Sequence, residues 1–351
     1  MDFASALTHA PRRTRTRAGH PPPRLRHDVT LLEAALAPVR DDLNLVTTRL
    51  LQCLQEPMAR RVVYLVVAGG KRLRPALVLL TGALGAAPNQ AALRDAAASV
   101  ELIHTATLIH DDVIDASPLR RRQPAFHARW GTERALLTGD YLYATAFAVL
   151  TRLSVPAVMQ LMAEACQELS RGELREVEAR HRLDVSESLY FAIIRDKTAS
   201  LIRACCQIGG LLGGASGDVV ERLGVFGEHF GMAFQIMDDC LDLVGTQREM
   251  GKSILADLDK GALSLPMIYL ARRLPARKRA QLFAPLRTRL PDAACLRMLA
   301  QAAKESGAID EAYATAEALC HKAQAALAGI PLNGMAAMYQ HLTAYALQRR
   351  S

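Results

Sequence analysis

Two acidic triplets with one spacing constrain this chain more than any other feature of it. Asp111-Asp112-Val113-Ile114-Asp115 closes the apolar run through Leu108-Ile109-His110, and Asp238-Asp239-Cys240-Leu241-Asp242 follows Phe234-Gln235-Ile236-Met237. On a helix, residues four apart share a face and sit about 5–6 Å apart. Asp111 therefore points the same way as Asp115, and Asp238 the same way as Asp242. Like charges at that spacing oppose helix formation by a few tenths of a kcal/mol. A hard divalent cation would offset the repulsion, and Mg²⁺ is often held by one or two carboxylates plus substrate phosphates. A single triplet is also what a solvated helix face looks like. Two of them, each fused to a segment that should be buried, need partners for their carboxylates. Two such faces across a cavity would grip a diphosphate from both sides.

The 351 residues allow one large domain or two ordinary ones. Half of them are hydrophobic, and Ala, Leu and Arg dominate, which favours helix. Period-2 runs bounded by turn residues are few, so strands should be rare. The seven cysteines (53, 166, 205, 206, 240, 295 and 320) form no C-x-x-C pair. Most lie in apolar helical contexts, which points to reduced thiols and a cytoplasmic location. No apolar run reaches the roughly 18–20 residues of a membrane span. Residues 1–27 carry six Arg and one Asp, so most of the formal net charge of +8 belongs to the N-terminus. That concentration argues only weakly for nucleic acid, and no nucleic-acid-binding signature accompanies it.

Residues 1–28 are rich in Arg and Pro and read as a disordered tail; residues 29–351 read as one catalytic domain. An Arg-rich, acid-poor start also fits a transit peptide, although Asp2 and the prolines count against an amphipathic helix. Helical periodicity begins near Val29, and Pro57 marks a break. Gly69-Gly70-Lys71-Arg72-Leu73-Arg74-Pro75 follows. The glycines allow a tight bend, and Pro75 suits the first turn of the next helix. The three cations are either a solvated loop or donors for phosphate oxygens. A long helix over about 92–115 carries Glu101, His104 and the first triplet, with His104 and Asp111 two turns apart on nearly one face. Pro118 breaks it, and Arg120-Arg121-Arg122 come at once after the acids. Further helices are expected at about 133–152, 156–181, 186–214 and 218–245. The third carries Asp196-Lys197-Thr198, a cation and a hydroxyl on an otherwise apolar helix. Gly251-Lys252 and Asp257-Leu258-Asp259-Lys260-Gly261 follow the second triplet. The C-terminal third reads as amphipathic helix with breaks at Pro291, Gly307 and Pro331 and no chemical motif.

Taken in order, these motifs resemble the trans-isoprenyl (polyprenyl) diphosphate synthases over residues 30–350. The resemblance rests on Gly70-Lys71-Arg72-Leu73-Arg74-Pro75, Glu101-Leu102-Ile103-His104, Asp111 to Asp115, Leu119-Arg120-Arg121, Gly139-Asp140, Lys197-Thr198, Phe234-Gln235 with Asp238 to Asp242, Gly251-Lys252 and Asp257-Leu258. Thr138-Gly139-Asp140-Tyr141 and the C-terminal region are most similar to the catalytic component of heptaprenyl diphosphate synthase. The resemblance implies an all-α, isoprenoid-synthase-type helical bundle around a deep central cavity. It implies that Asp111, Asp115 and Asp238 bind Mg²⁺, supported by Asp112, Asp239 and Asp242. Arg120, Lys197, Thr198, Gln235 and Lys252 would hold the allylic prenyl diphosphate, and Lys71, Arg74, His104 and Arg121 the isopentenyl diphosphate. The catalytic set would be Asp111, Asp115, Lys197 and Asp238. A homodimer, or a heteromer with a small regulatory subunit, is the implied assembly, and quinone side chains the implied use.

The chain departs from the family pattern twice. Arg122 stands where Gly is usual, and Ala262 where many members have Lys after the glycine; Lys252 and Lys260 lie near the second position. Product length is implied by Ala106 and Thr107, five and four residues before Asp111. In this family a bulky aromatic there closes the cavity; small side chains leave it open, which implies a long product of about C30–C40. Met159, Met162 and Cys166 recur at helical spacing and either line a deeper tunnel or pack in the core. Two other readings exist. The Glu-x-x-His pairs Glu101/His104 and Glu178/His181 are what a di-iron carboxylate bundle uses, but that leaves both Asp triplets unexplained. A non-catalytic subunit should have lost a triplet, and both are intact.

Overall fold

The computed structural model describes residues 23–55, 58–67, 70–121, 123–244, 255–287 and 292–348. Among these, the chain is helical almost throughout. Helices α1 (Pro23–Leu36), α2 (Arg40–Gln52) and α3 (Met58–Val67) lead into α4 (Leu73–Gly82) and the long α5 (Gln90–Ile114). A short α6 (Phe126–Trp130) precedes α7 (Thr132–Thr151), α8 (Pro156–Ala179), α9 (Glu187–Ile194), α10 (Ser200–Leu212) and α11 (Gly217–Val244). After α12 (Ala256–Asp259) come α13 (Leu265–Arg273), α14 (Ala276–Phe283), α15 (Ala293–Glu305), α16 (Ala308–Ala326) and α17 (Ala336–Gln348). The only sheet among the described residues is a two-residue hairpin, Leu119–Arg120 antiparallel to Gln123–Pro124, with Leu119 opposite Pro124. The chain is thus all-α, as its composition predicts. The first described helix opens at Pro23, six residues before the expected start, and residues 1–22 of the expected tail lie outside the described residues.

Helix starts follow local chemistry. Asn89 caps α5, its side chain accepting from Ala92 N–H at 3.1 Å, and Ser186 caps α9 in the same way through Leu189 N–H. Each satisfies a donor that the first turn leaves without a partner. Gly307 takes a left-handed φ of 73° between α15 and α16, where the breaker pattern places a bend.

Burial decides which helices are central. In α4, Leu73 and every residue from Pro75 to Gly82 are buried, and α10 buries nearly its whole surface against α4, α8 and α11. A helix that is apolar all round belongs in the core. By contrast α8 buries Val158, Met162, Ala165, Leu169, Gly172 and Glu173, a single stripe facing inward. Around this centre, α5 packs on α2, α4 and α7, and α11 on α10, α16 and α17; Phe226 of α11 stacks on Phe230 at 5.7 Å and meets Tyr339 of α17 edge-on. All seven cysteines are free thiols. Among the described residues no helix is long and apolar enough to cross a membrane.

One expected element is interrupted. The apolar stretch 186–214 predicts a single helix; the structure has α9 and α10 joined by a π-helical turn, Arg195–Ala199, around Asp196-Lys197-Thr198. Such turns are rare and concentrate at functional sites.

Candidate active site

A cavity of about 800 Å³ opens where α5, α8, α9, the π turn and α11 converge, closed on one side by residues 117–121 and on another by 257–264. Its wall carries Asp111, Asp112 and Asp115 from α5 and its C-cap, and Asp238 and Asp239 from α11. The two triplets therefore face one space. Arg74, His104, Arg120, Arg121, Lys197, Thr198, Gln235 and Thr107 stand on the same wall.

Each acid on the α5 side has a basic neighbour. Arg120 donates to Asp112 from Nε at 2.9 Å and from Nη2 at 2.5 Å. Asp115 receives Arg180 Nη2 at 2.6 Å on one oxygen and Lys260 Nζ at 2.7 Å on the other. Burial would raise the Asp115 carboxyl, but Lys260 and Arg180 outweigh it and hold Asp115 below the usual range. Asp111 goes the other way. Burial pushes its carboxyl up to about 7, against the pull of Lys197. Lys197 reaches Glu173 at 2.7 Å and Glu176 at 2.5 Å. Burial would lower its ammonium, and Glu176, Glu173 and Asp111 raise it well above the ordinary lysine value, so it stays charged.

The second triplet is held differently. Tyr190 Oη donates to Asp239 Oδ2 at 2.6 Å, Gln235 Nε2 to Asp239 Oδ1 at 2.8 Å, and Thr198 Oγ1 to Gln235 Oε1 at 2.8 Å. Asp242 is buried and accepts Asp257 N–H at 3.2 Å. It closes the segment after α11 and is not on the cavity wall.

The π turn explains how Lys197 and Thr198, adjacent in sequence, both reach the wall. Behind them, Asp196 is gripped by Arg171 at 2.7 Å and Arg175 at 2.6 Å from α8. Gly172 makes that approach possible: a Cβ there would sit 2.4 Å from Lys197 N.

At the inner end, Arg74 Nη1 lies 3.2 Å from His104 Nε2. The guanidinium can only donate, so the imidazole accepts. Burial, reinforced by Arg74, Arg121 and Arg120, pushes His104 well below its ordinary value. Beside them a void of about 30 Å³ is lined by Glu101, Arg72, Arg120 and Arg121, and burial pushes the Glu101 carboxyl up. Arg121 takes a left-handed φ of 51° in the hairpin turn.

Not every expected residue reaches the wall. Lys71 sits with Nζ 4.9 Å from the centroid of the Tyr345 ring, outside the cavity lining. Ala106 is fully buried in the core, and Thr107 is the member of that pair on the wall. Met162 is fully buried, and Met159 and Cys166 pack against the core away from the cavity. Lys252 and Arg122 lie outside the described residues. The Glu-x-x-His pairs do not converge: Glu178 is exposed and His181 turns to the Leu286 carbonyl at 3.2 Å. Sequence reasoning passed over Glu173, Glu176, Arg180 and Tyr190. The signals were there: Glu173 and Glu176 are three apart on the inward stripe of α8, and Tyr190 lies seven residues before Lys197.

The Polyprenyl synthetase family model matches residues 55–302. The chain belongs to the polyprenyl synthetase family. The heptaprenyl diphosphate synthase component 2 of Geobacillus stearothermophilus is 36% identical over 317 residues, covering 90% of this chain and 98% of that one. The nonaprenyl diphosphate synthase of Mycobacterium tuberculosis is 38% identical, covering 74% of this chain and 78% of its own. Among solved structures, the polyprenyl synthase from Caulobacter crescentus, complexed with calcium and isoprenyl diphosphate, superposes with a TM-score of 0.87 at 32% identity, covering 91% of this chain and 98% of that one. The chain is a trans-polyprenyl diphosphate synthase, a prenyltransferase of all-α isoprenoid-synthase fold.

The donors suit a hard divalent cation. They are carboxylate oxygens, which Mg²⁺ prefers. Among the described residues no three His, Cys, Asp or Glu side chains form a ready cage.

Proposed function

We propose that this synthase elongates an allylic diphosphate, farnesyl or geranylgeranyl, by repeated 1′-4 trans condensation with isopentenyl diphosphate, with Mg²⁺ as its cofactor. The observation that carries the reading is the cavity in which Asp111, Asp112, Asp115, Asp238 and Asp239 meet Arg74, Arg120, Arg121, Lys197 and Lys260. Asp111, Asp115 and Asp238 would hold the metal, which supplies charge neutralisation at the departing diphosphate. Asp112, Asp239 and Asp242 act one step back, through Arg120, Gln235 and the 257–262 segment.

The reaction needs few side-chain proton transfers. The allylic C1–O bond breaks and its electron pair leaves with diphosphate. The double bond of isopentenyl diphosphate attacks C1, and a proton is lost from its C2 to the released diphosphate. What the protein supplies is fixed positive charge and orientation. Lys197, kept protonated by Glu173 and Glu176, and Arg120, aligned by Asp112, face the leaving group with Thr198 and Gln235 beside them. Arg74, Arg121 and neutral His104 offer donors at the inner end for the second diphosphate. Thr107, Leu169 and Leu201 give this part of the wall small and aliphatic side chains, and the aromatic on the lining, Tyr190, is tied to Asp239. This supports a product of about C30–C40, in line with pocket depth as the limit on ligand size.

A second reading is that turnover needs a small partner subunit. The name "component 2" of the 36%-identical Geobacillus relative favours it. One assay separates the two. The purified chain is incubated with Mg²⁺, farnesyl diphosphate and labelled isopentenyl diphosphate, and dephosphorylated products are resolved by length. A ladder ending at C30–C40, shortened by Thr107→Phe, is the expected result. Product only after adding host extract means an obligate heteromer. No product either way, with no binding of Mg²⁺ and substrate, overturns the diphosphate site.

A further inference from the structure

We propose that Lys260 and Arg180 are exchangeable counter-ions. In the substrate-free enzyme they neutralise Asp115; when metal and diphosphate enter together, Asp115 passes to the metal and the two cations pass to diphosphate oxygens. This rests on the diphosphate site proposed above and adds two substrate-binding residues to it.

The geometry is unusual for a carboxylate meant to be open to a metal. Both oxygens of Asp115 are taken, Oδ1 by Arg180 at 2.6 Å and Oδ2 by Lys260 at 2.7 Å. One cation would suffice to neutralise it. The two come from different parts of the chain, Arg180 from the C-cap of α8 and Lys260 from the turn after α12. Arg180 also has capacity to spare: its Nε is buried with no acceptor among the described residues. Lys260 stands on the cavity wall, and so does Ala262, which carries no charge. Lys260 is thus the cation that the 257–264 segment presents to the cavity.

The backbone under Lys260 is fixed while its side chain is not. Asp257 N–H donates to Asp242 Oδ2, Leu255 N–H to the Asp242 carbonyl at 3.0 Å, and Ala262 N–H to the Asp257 carbonyl at 2.9 Å. Gly261 holds a left-handed φ of 74°, its carbonyl accepts His181 N–H at 2.8 Å, and a Cβ on it would strike His181. Only the four-carbon stem of Lys260 is left to swing. The segment thereby hangs on the second triplet and lends its charge to the first.

Charge then dictates an order of events. A bare dication reaching Asp115 must displace an ammonium and a guanidinium that have nowhere to go, and like charges at contact distance repel strongly. Diphosphate oxygens give both cations new charge-assisted partners. Metal and diphosphate should therefore bind with positive coupling, each favouring the other.

The test is calorimetric, on the full chain, with Lys260→Met and Arg180→Gln. Each protein is titrated with Mg²⁺ alone, then with inorganic diphosphate in excess Mg²⁺. Each substitution is expected to tighten Mg²⁺ alone and to weaken diphosphate by about tenfold, the size of one lost charge-assisted bond. Lys260→Arg should stay near wild type in both. Opposite shifts are what an exchange requires. If both affinities fall together, or neither moves, the two residues are braces and the inference fails. If the wild-type chain takes up no diphosphate in Mg²⁺, the site reading fails and takes this inference with it.

Discussion

The two acidic triplets share a spacing and differ in how they are held. The α5 triplet is covered by long cations from elsewhere in the chain: Arg120 on Asp112, Arg180 and Lys260 on Asp115. The α11 triplet is held by neutral donors: Tyr190 and Gln235 on Asp239, the Asp257 amide on Asp242. Burial pushes the Asp239 carboxyl up, while those hydrogen bonds pull it back. A cation can be traded for a metal because charge is conserved in the trade. A phenol and an amide cannot, so Asp239 and Asp242 of the second triplet behave as frame. Repeated spacing in a sequence thus marks a shared face and does not mark a shared job.

The largest effect should come from Asp111, the carboxyl that burial drives to about 7. Asp111→Asn keeps the shape and removes the charge. Turnover should fall by about 10²-fold or more, the scale of losing one preorganised electrostatic contact in a transition state. The substrate-free fold should be no less stable, because burial opposes the Asp111 charge more than Lys197 supports it. Steady-state kinetics and thermal melting in diphosphate-free buffer check the two halves. A variant that melts lower and still turns over would break the distinction between exchange and frame.

A smaller loss, of a different kind, is expected at Tyr190. Tyr190→Phe leaves Asp239 Oδ2 buried without its 2.6 Å donor. An unsatisfied buried acceptor costs about 1–3 kcal/mol, so the melting point should drop. Turnover should fall less than in Asp111→Asn, since Tyr190 acts through Asp239 and Gln235. If Tyr190→Phe leaves stability unchanged, the α11 triplet is not a frame.

Much of this was legible in the sequence. The 3.6-residue periodicity gave the helices, and the spacing of Asp111, Asp115 and His104 put them on one wall. What stayed hidden was pairing across elements. Glu173 and Glu176 look like surface acids of an amphipathic helix until Lys197 is seen between them. The π turn was also invisible, because 186–214 is apolar enough to read as unbroken helix; the clue was Gly172 on a neighbouring helix, whose missing Cβ admits the turn. Lys71 and Ala106 lie off the cavity wall for the opposite reason: motif position placed them near the cavity, and packing turned one toward Tyr345 and the other into the core.

The inner end of the cavity offers the finest test, because there a titratable ring is kept neutral by burial beside a permanent cation. His104 accepts from Arg74 and is pushed, first by burial, well below its ordinary value of 6.5. The unfolded chain takes up that proton near the ordinary value and the folded chain resists it. Stability from this residue is therefore complete above about pH 6.5 and is lost as pH falls, by up to about 1.4 kcal/mol per pH unit. His104→Gln keeps an acceptor for Arg74 and has nothing to titrate. Denaturant midpoints measured between pH 7 and 5 should fall more steeply for wild type than for His104→Gln. Parallel curves would mean that the folded protein accepts the proton, and that Arg74 turns away from His104 to let it in. The inner end would then exchange partners as the α5 triplet does, and only the α11 side of the cavity would remain rigid.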